Sequence, residues 1–253
     1  MRTTTLLHFL YVLFSASITL ALPMQLSAKE GGNSVTASNC GNRTFYVDSQ
    51  LGNDVNNGLS QGRPWKSFTK INATTFCPGD KILFRSGRTW SGTLTPRGSG
   101  QAGKPITIGK YGSGNAPVLN GDMSVDCSVS SSVVYCTIKL YNQQHWVIQD
   151  VEITNYKSSE EGGKSATAWR QQNVTKYQNV RTPAQYTGNN SKKCAILVEA
   201  KGAGKLSTIQ FKNLEIHSVN GDIHDKDNGG IFFEVFNSNN AVSYTHLTLP
   251  TIA

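Results

Sequence analysis

Apolar residues along this chain come in short runs, each cut off by Asn, Gly, Ser or Asp. Phe45 to Val47, Lys81 to Phe84, Ile106 to Ile108, Val118 to Leu119, Val133 to Leu140, Ala195 to Val198 and Ile231 to Val235 each read as a strand between turns. Asp48 to Arg63 is crowded with Asn and Gly and reads as an elaborate loop. Pro64 to Phe76 is the exception. There Trp65, Phe68, Ile71 and Phe76 give a helical turn an apolar side, which predicts a short helical segment lying across an otherwise exposed strand edge.

One pattern occurs twice. Trp146 to Ile153 (WVIQDVEI) matches Ile209 to Ile216 (IQFKNLEI), apolar position on apolar position, with Asp150 against Asn213 and Glu152 against Glu215. The spacing of 63 residues reads as two or three coils of a β-solenoid carrying a loop insertion, being too long for one coil. Such units stack, because a single coil cannot bury its own apolar face. Asp150 and Asn213 fall where an Asx side chain can bond the backbone at a corner between two strands.

Three stretches resemble the N-terminal region of right-handed parallel β-helix proteins, many of which are polysaccharide lyases or glycoside hydrolases. They are Thr44 to Asp54 (TFYVDSQLGND) with Gly58 and Pro64-Trp65 downstream, Pro78 to Trp90 (PGDKILFRSGRTW), and Lys104 to Asp122 (KPITIGKYGSGNAPVLNGD). The resemblance covers roughly Thr44 to Val235. It implies an all-β fold, a right-handed parallel β-helix whose N-terminal cap includes a short helix. It also implies that catalytic and calcium-binding side chains project from one parallel sheet in the middle coils, mostly beyond this chain. The order of motifs specifies the fold and leaves the activity open.

The flanks add a context. Met1 to Ala28 places Arg2 before an apolar run from Leu6 to Leu22 and small residues at Ser27 and Ala28, the layout of a cleavable export signal; an uncleaved anchor is the alternative. Residues 29–43 read as a flexible leader, 44–241 as the β-helix, and 242–253 (VSYTHLTLPTIA) as a non-native tail resembling a translated sequencing adaptor, which would remove His246 from any site. A genuine disordered C-terminus is the alternative for that tail. On the first reading the natural chain continues past Ala241, since a β-helix stopping after Val235 would leave its last coil uncapped. The expected product is a secreted or periplasmic monomer, free of the membrane once the signal is cleaved.

Five cysteines suit an oxidising compartment. Cys127 and Cys136 bracket a short serine-rich turn that a disulfide could staple, and Cys40 with Cys77 could form a second pair, leaving Cys194 over; all five reduced is the alternative. Sequons stand at Asn42, Asn72, Asn173 and Asn189, glycan acceptors only in a eukaryotic source. The net charge of +8, or +7 without Arg2, points in an exported protein to acidic glycans in preference to nucleic acid, although scattered Lys and Arg equally make a solvated surface.

Candidate chemistry concentrates at His217, Asp222, His224, Asp225, Lys226 and Asp227. Asp222, His224 and Asp227 are the catalytic candidates, as paired carboxylates or a base acting on a glycosidic bond. Alternatively Asp222, Asp225 and Asp227 help hold Ca²⁺ against a uronate while Lys226 or His224 takes its C5 proton; no metal or other cofactor is required by a recognisable ligand spacing. Lys226, Trp169 and Tyr177 are candidates for substrate contact, with Tyr186 as a further aromatic able to stack on a sugar. The plain alternative makes 222–230 a solvated turn and the aromatics a small satellite core. Glu152 and Glu215 would form an outward row touching carbohydrate or simply solvent. Two functional classes follow: a carbohydrate-active enzyme, lyase or hydrolase, for an acidic polysaccharide, or a non-catalytic glycan-binding or surface-adhesion β-helix. A small antiparallel β-sandwich is a third fold, disfavoured by the long polar connections.

Overall fold

The computed structural model describes residues 40–125, 127, 134–156, 192–219 and 229–236. Contacts divide the chain into Met1–Thr36 and Ala37–Ala253, and everything described belongs to the second unit. The export signal and the C-terminal tail expected from the sequence lie outside the described residues, as does the leader except for Cys40–Arg43. No helix among the described residues is long and apolar enough to cross a membrane.

Among the described residues twelve strands and one short helix follow in order: β1 (Thr44–Val47), α1 (Phe68–Asn72), β2 (Lys81–Arg85), β3 (Thr89–Ser91), β4 (Ile106–Tyr111), β5 (Val118–Asn120), β6 (Val134–Tyr141), β7 (Trp146–Gln149), β8 (Glu152–Asn155), β9 (Lys192–Lys201), β10 (Ile209–Lys212), β11 (Glu215–Val219) and β12 (Gly229–Phe236). They form three sheets, ordered β1-β2-β4-β7-β10, β11-β8-β5-β3 and β12-β9-β6, and every strand pair is parallel. From β4 onward the chain visits the sheets in rotation, so each strand from β7 on pairs with the strand one round earlier. The antiparallel sandwich is thereby excluded for the described strands.

Register builds the core. In the first sheet Phe45, Ile82, Ile108, Ile148 and Phe211 are successive partners, and in the second Trp90, Leu119, Ile153 and Ile216 are. The third adds Ile138, Ile196 and Ile231. These rows meet in one apolar cluster. The twofold sequence unit is two consecutive strands, β7-β8 and β10-β11, around a corner. Ile209 pairs directly with Trp146, so the 63-residue step from one to the other is a single round and not two or three. The insertion alone accounts for the excess length, and much of it, residues 157–191, lies outside the described residues.

The cap differs from the sequence expectation in one respect. The helix is confined to Phe68–Asn72, because Trp65 is extended: its N–H donates to Tyr46 O and its carbonyl accepts from Asp48 N–H, a parallel bridge on the edge of β1. The segment therefore covers the edge, as anticipated, but with backbone from Trp65 and with the side chains of Phe68 and Ile71 buried beneath. Trp65 stacks on Phe45 at 4.5 Å, and a Cβ on Gly58 would lie 2.7 Å from the indole, at a φ of 72° that also favours glycine. Asp80, fully buried, accepts from the backbone N–H of Arg43 and Cys77 and from the Arg43 guanidinium, and Cys40 is disulfide-bonded to Cys77. The end of the expected leader is thus fixed to the turn before β2.

Burial of these rows sets a measurable contrast. Ile148→Ala removes a fully buried side chain from the centre of the first sheet and is expected to cost ~3 kcal/mol in urea unfolding, whereas half-buried Gln149→Ala on the opposite face costs less than about 1 kcal/mol.

Candidate functional site

The row Glu152–Glu215 expected from the repeat exists. Glu215 is the register partner of Glu152 on the outer face of the second sheet, and like charges so placed repel. His217 joins them. Register shifts between Ile216 and Val219, with Ser218 at a φ of 51°, and this bulge accompanies an imidazole whose Nε2 lies 2.9 Å from Glu152 Oε1 and 3.9 Å from Glu215 Oε1. With Nε2–H donating to the carboxylate, Nδ1 faces Ser218 Oγ at 3.0 Å. Side-chain exposures of 20% for His217, 24% for Glu152 and 71% for Glu215 leave the group reachable from solvent. An imidazole between two carboxylates can relay a proton; as structure, it offsets their repulsion.

Asp222, His224, Asp225, Lys226 and Asp227, and with them Trp169, Tyr177 and Tyr186, lie outside the described residues. Of the polar cluster foreseen from the sequence, only His217 is described, and it belongs to the Glu152 row. Among the described residues no three His, Cys, Asp or Glu side chains converge as metal ligands. The three aspartates considered for Ca²⁺ fall outside that set.

Sequence reasoning missed a second polar group, on the third sheet. Lys139 Nζ lies 2.8 Å from Glu199 Oε2, and Glu199 is fully buried; the same ammonium donates to Cys127 O and sits 5.4 Å from the Tyr141 ring. Glu234 is the register partner of Glu199. Here the Cys127–Cys136 disulfide, Val134, Leu197 and Cys194 form a small apolar cluster of their own. Desolvation, then the nearby Glu234 charge, pushes the free Cys194 thiol up to about 12 from an ordinary 9.0, with Lys139 opposing. Such a thiol is held protonated and unreactive. The available signal was a charged residue interrupting each of two apolar runs, IKLY in β6 and AILVEA in β9.

Elsewhere the shifts are structural. Partial burial pushes Asp54 up, but the Ser67 hydroxyl, the N–H groups of Lys66 and Ser67, and Lys70 together hold it below its ordinary 3.8. Burial and the charge of Asp48 push Tyr111 up, against Arg85 and Arg88.

The three-sheet parallel architecture defines an all-β class, and comparison with known proteins narrows it. No family model matches the chain. It is 28% identical over 240 residues to a lacto-N-biosidase of Bifidobacterium longum subsp. longum, covering 86% of this chain and 15% of that protein. The crystal structure of a GH136 lacto-N-biosidase from Eubacterium ramulus superposes with a TM-score of 0.57 at 25% identity, over 79% of this chain and 31% of that one. The chain therefore spans well under half the length of the relatives it matches.

Two outcomes test the third-sheet group. Lys139→Met leaves Glu199 buried without its cation and is expected to cost ~3 kcal/mol or more, part of which returns when Glu199→Leu is added. For Cys194, the unfolded thiol loses its proton near 9.0 while the folded one keeps it to about 12, so in that window the unfolded state binds fewer protons. Stability should fall as pH rises from 9.0 towards 12, more steeply than in Cys194→Ala followed by the same denaturant titration.

Proposed function

We propose that this chain supplies the cap and first rounds of a secreted glycoside hydrolase of the lacto-N-biosidase kind, wound as a right-handed parallel solenoid. The observation that carries the reading is the pairing of a three-sheet parallel rotation with 28% identity sustained over 86% of the chain. A likeness that runs through cap, corners and sheets is what divergence of one architecture leaves behind, whereas a shared local motif would cover a single element. The reaction would be hydrolysis of a glycosidic bond, releasing lacto-N-biose units from an oligosaccharide. Two carboxyl groups flank such a bond, one protonating the leaving oxygen and the other assisting water or attacking the anomeric carbon. Asp222 and Asp227, with His224, remain the candidates within this chain, and Lys226, Trp169 and Tyr177 the candidates for substrate contact.

The alternative substrate, an acidic polysaccharide, is supported by the net charge of +8 alone. The two are separated by product analysis of the protein expressed from its natural transcript. It is expected to release a saturated disaccharide from a neutral lacto-N oligosaccharide. Unsaturated products from a uronate polymer, seen by their ultraviolet absorbance, would replace hydrolysis with elimination, and no cleavage of either would favour the glycan-binding alternative.

A further inference from the structure

The outer face of the first sheet carries a hollow of about 270 Å³ at the starts of β4, β7 and β10. Val147 and Pro105 give it an apolar lining, and Gln101, His145, Thr208 and Gln210 supply polar groups around them. One wall is a tight turn in which Gln101 N–H donates to Lys104 O at 3.1 Å and Lys104 N–H donates to Gln101 O at 2.9 Å. That wall is fixed to the sheet: Gly100 N–H donates to Gln144 O at 3.0 Å, and Gln144 N–H to Ser99 Oγ at 3.2 Å. A Cβ on Gly100 would come within 2.4 Å of His145 O, so only glycine lets the turn lie this close. The hollow is therefore preorganised.

His145 and Thr208 occupy equivalent positions in successive rounds, and both are left-handed, with φ of 55° and 54°. For a β-branched residue such as Thr208 this conformation is costly, and strain of that kind is held where surrounding contacts enforce it. His145 N–H donates to Ser207 O and Trp146 N–H to Thr208 O, the bonds that hold the two strained residues one above the other beside the hollow.

We propose that this hollow is a subsite for one neutral sugar residue of a glycan. The inference rests on the glycan-directed reading above and deepens it by naming the ligand class at a specified place. The volume lies just under the ~300–1,000 Å³ of ordinary ligand clefts, room for a single ring and not a chain. Apolar lining suits the C–H face of a pyranose, while two carboxamides, a hydroxyl and an imidazole offer donors and acceptors to its hydroxyls. No lining residue carries a fixed charge, and Lys104, at the end of the turn, is exposed and does not line the hollow. A uronate carboxylate placed here would meet no fixed cation among the lining residues.

Saturation-transfer NMR on the full chain tests this with N-acetylglucosamine, galactose and galacturonate as probes, alongside Gln210→Trp, which fills the mouth from an exposed strand position, and Gln210→Ala, which removes one carboxamide without added bulk. Circular dichroism matched to the parent chain shows that both variants fold. The expected result is binding of a neutral sugar, weakened about tenfold or more by Gln210→Trp and measurably by Gln210→Ala, with galacturonate at least about tenfold weaker. Absence of neutral-sugar binding, binding unchanged by both variants, or equal binding of galacturonate overturns the proposal. Because binding is read without turnover, a protein that cleaves no glycan yet binds in this Gln210-dependent way loses the hydrolase reading and keeps the subsite. Cleavage with no binding at the hollow does the reverse.

Discussion

Parallel strands that follow one another around three sheets cannot satisfy their backbone within their own round, and this requirement organises the rest of the molecule. Each described strand finds its hydrogen-bond partner one round away. Equivalent residues are thereby forced into line, so Phe45, Ile82, Ile108, Ile148 and Phe211 form one continuous row across five strands. A side chain of the wrong size or polarity in such a row disturbs two neighbours rather than one, which is why inward positions are almost uniformly aliphatic or aromatic while outward positions vary. Among the described residues β1 has no strand before it, and Trp65 fills that place on its edge.

Corners face the complementary problem, since the chain must turn sharply while keeping buried polar groups paired. Asn120 Oδ1 accepts from Asp122 N–H, Tyr156 N–H and the Thr154 hydroxyl, and Asn155 donates to the carbonyls of Tyr135 and Cys194. Thr137 donates to Thr154 O. Gly121 leaves the necessary space, because a Cβ there would lie 2.5 Å from Asn155 Oδ1. These bonds run between rounds and so fix the stacking register at a corner in the way the aliphatic rows fix it within a sheet. Asp150 and Asn213 do the same at another corner, with left-handed backbones and a direct side-chain bond of 2.7 Å.

Much of this was legible in sequence because corners and rows use different residue types. The strand candidates and the corner positions of Asp150 and Asn213 emerged from local pattern; the cysteine pairings had stood open beside a fully reduced set, and Asp150 and Asn213 bond each other's side chains where a bond to the backbone was expected. What escaped was whatever depends on the path between repeats. The 63-residue spacing was read as several coils because insertion length cannot be told from coil number without seeing β7 paired to β10. Thr89–Ser91 was missed because a three-residue strand with one buried side chain, Trp90, has no period to detect. Lys139 and Glu199 meet only through the parallel register of β6 and β9, and no local signal joins residues so far apart. His217 likewise looked like part of a downstream acidic turn until its round placed it against Glu152.

The distribution of charge bears on recognition more directly than its total. A chain of net charge +8 suggests an anionic partner, and part of that charge is committed inside the fold: Arg43 to buried Asp80, Arg88 to Asp48, Lys139 to Glu199, and Arg85 against the Tyr111 ring, while Arg63, Lys66, Lys81, Lys104, Lys110 and Lys212 stay exposed. Each of these committed groups serves the packing of a corner or sheet face, and none lines the hollow on the outer face of the first sheet. The hollow itself is lined by two carboxamides, a hydroxyl and an imidazole, groups that hydrogen-bond hydroxyls and offer an anion no fixed charge. The parallel register makes such a concavity natural, because the same outward position recurs in every round and a change of residue in one round opens or closes the groove without disturbing the rows inside.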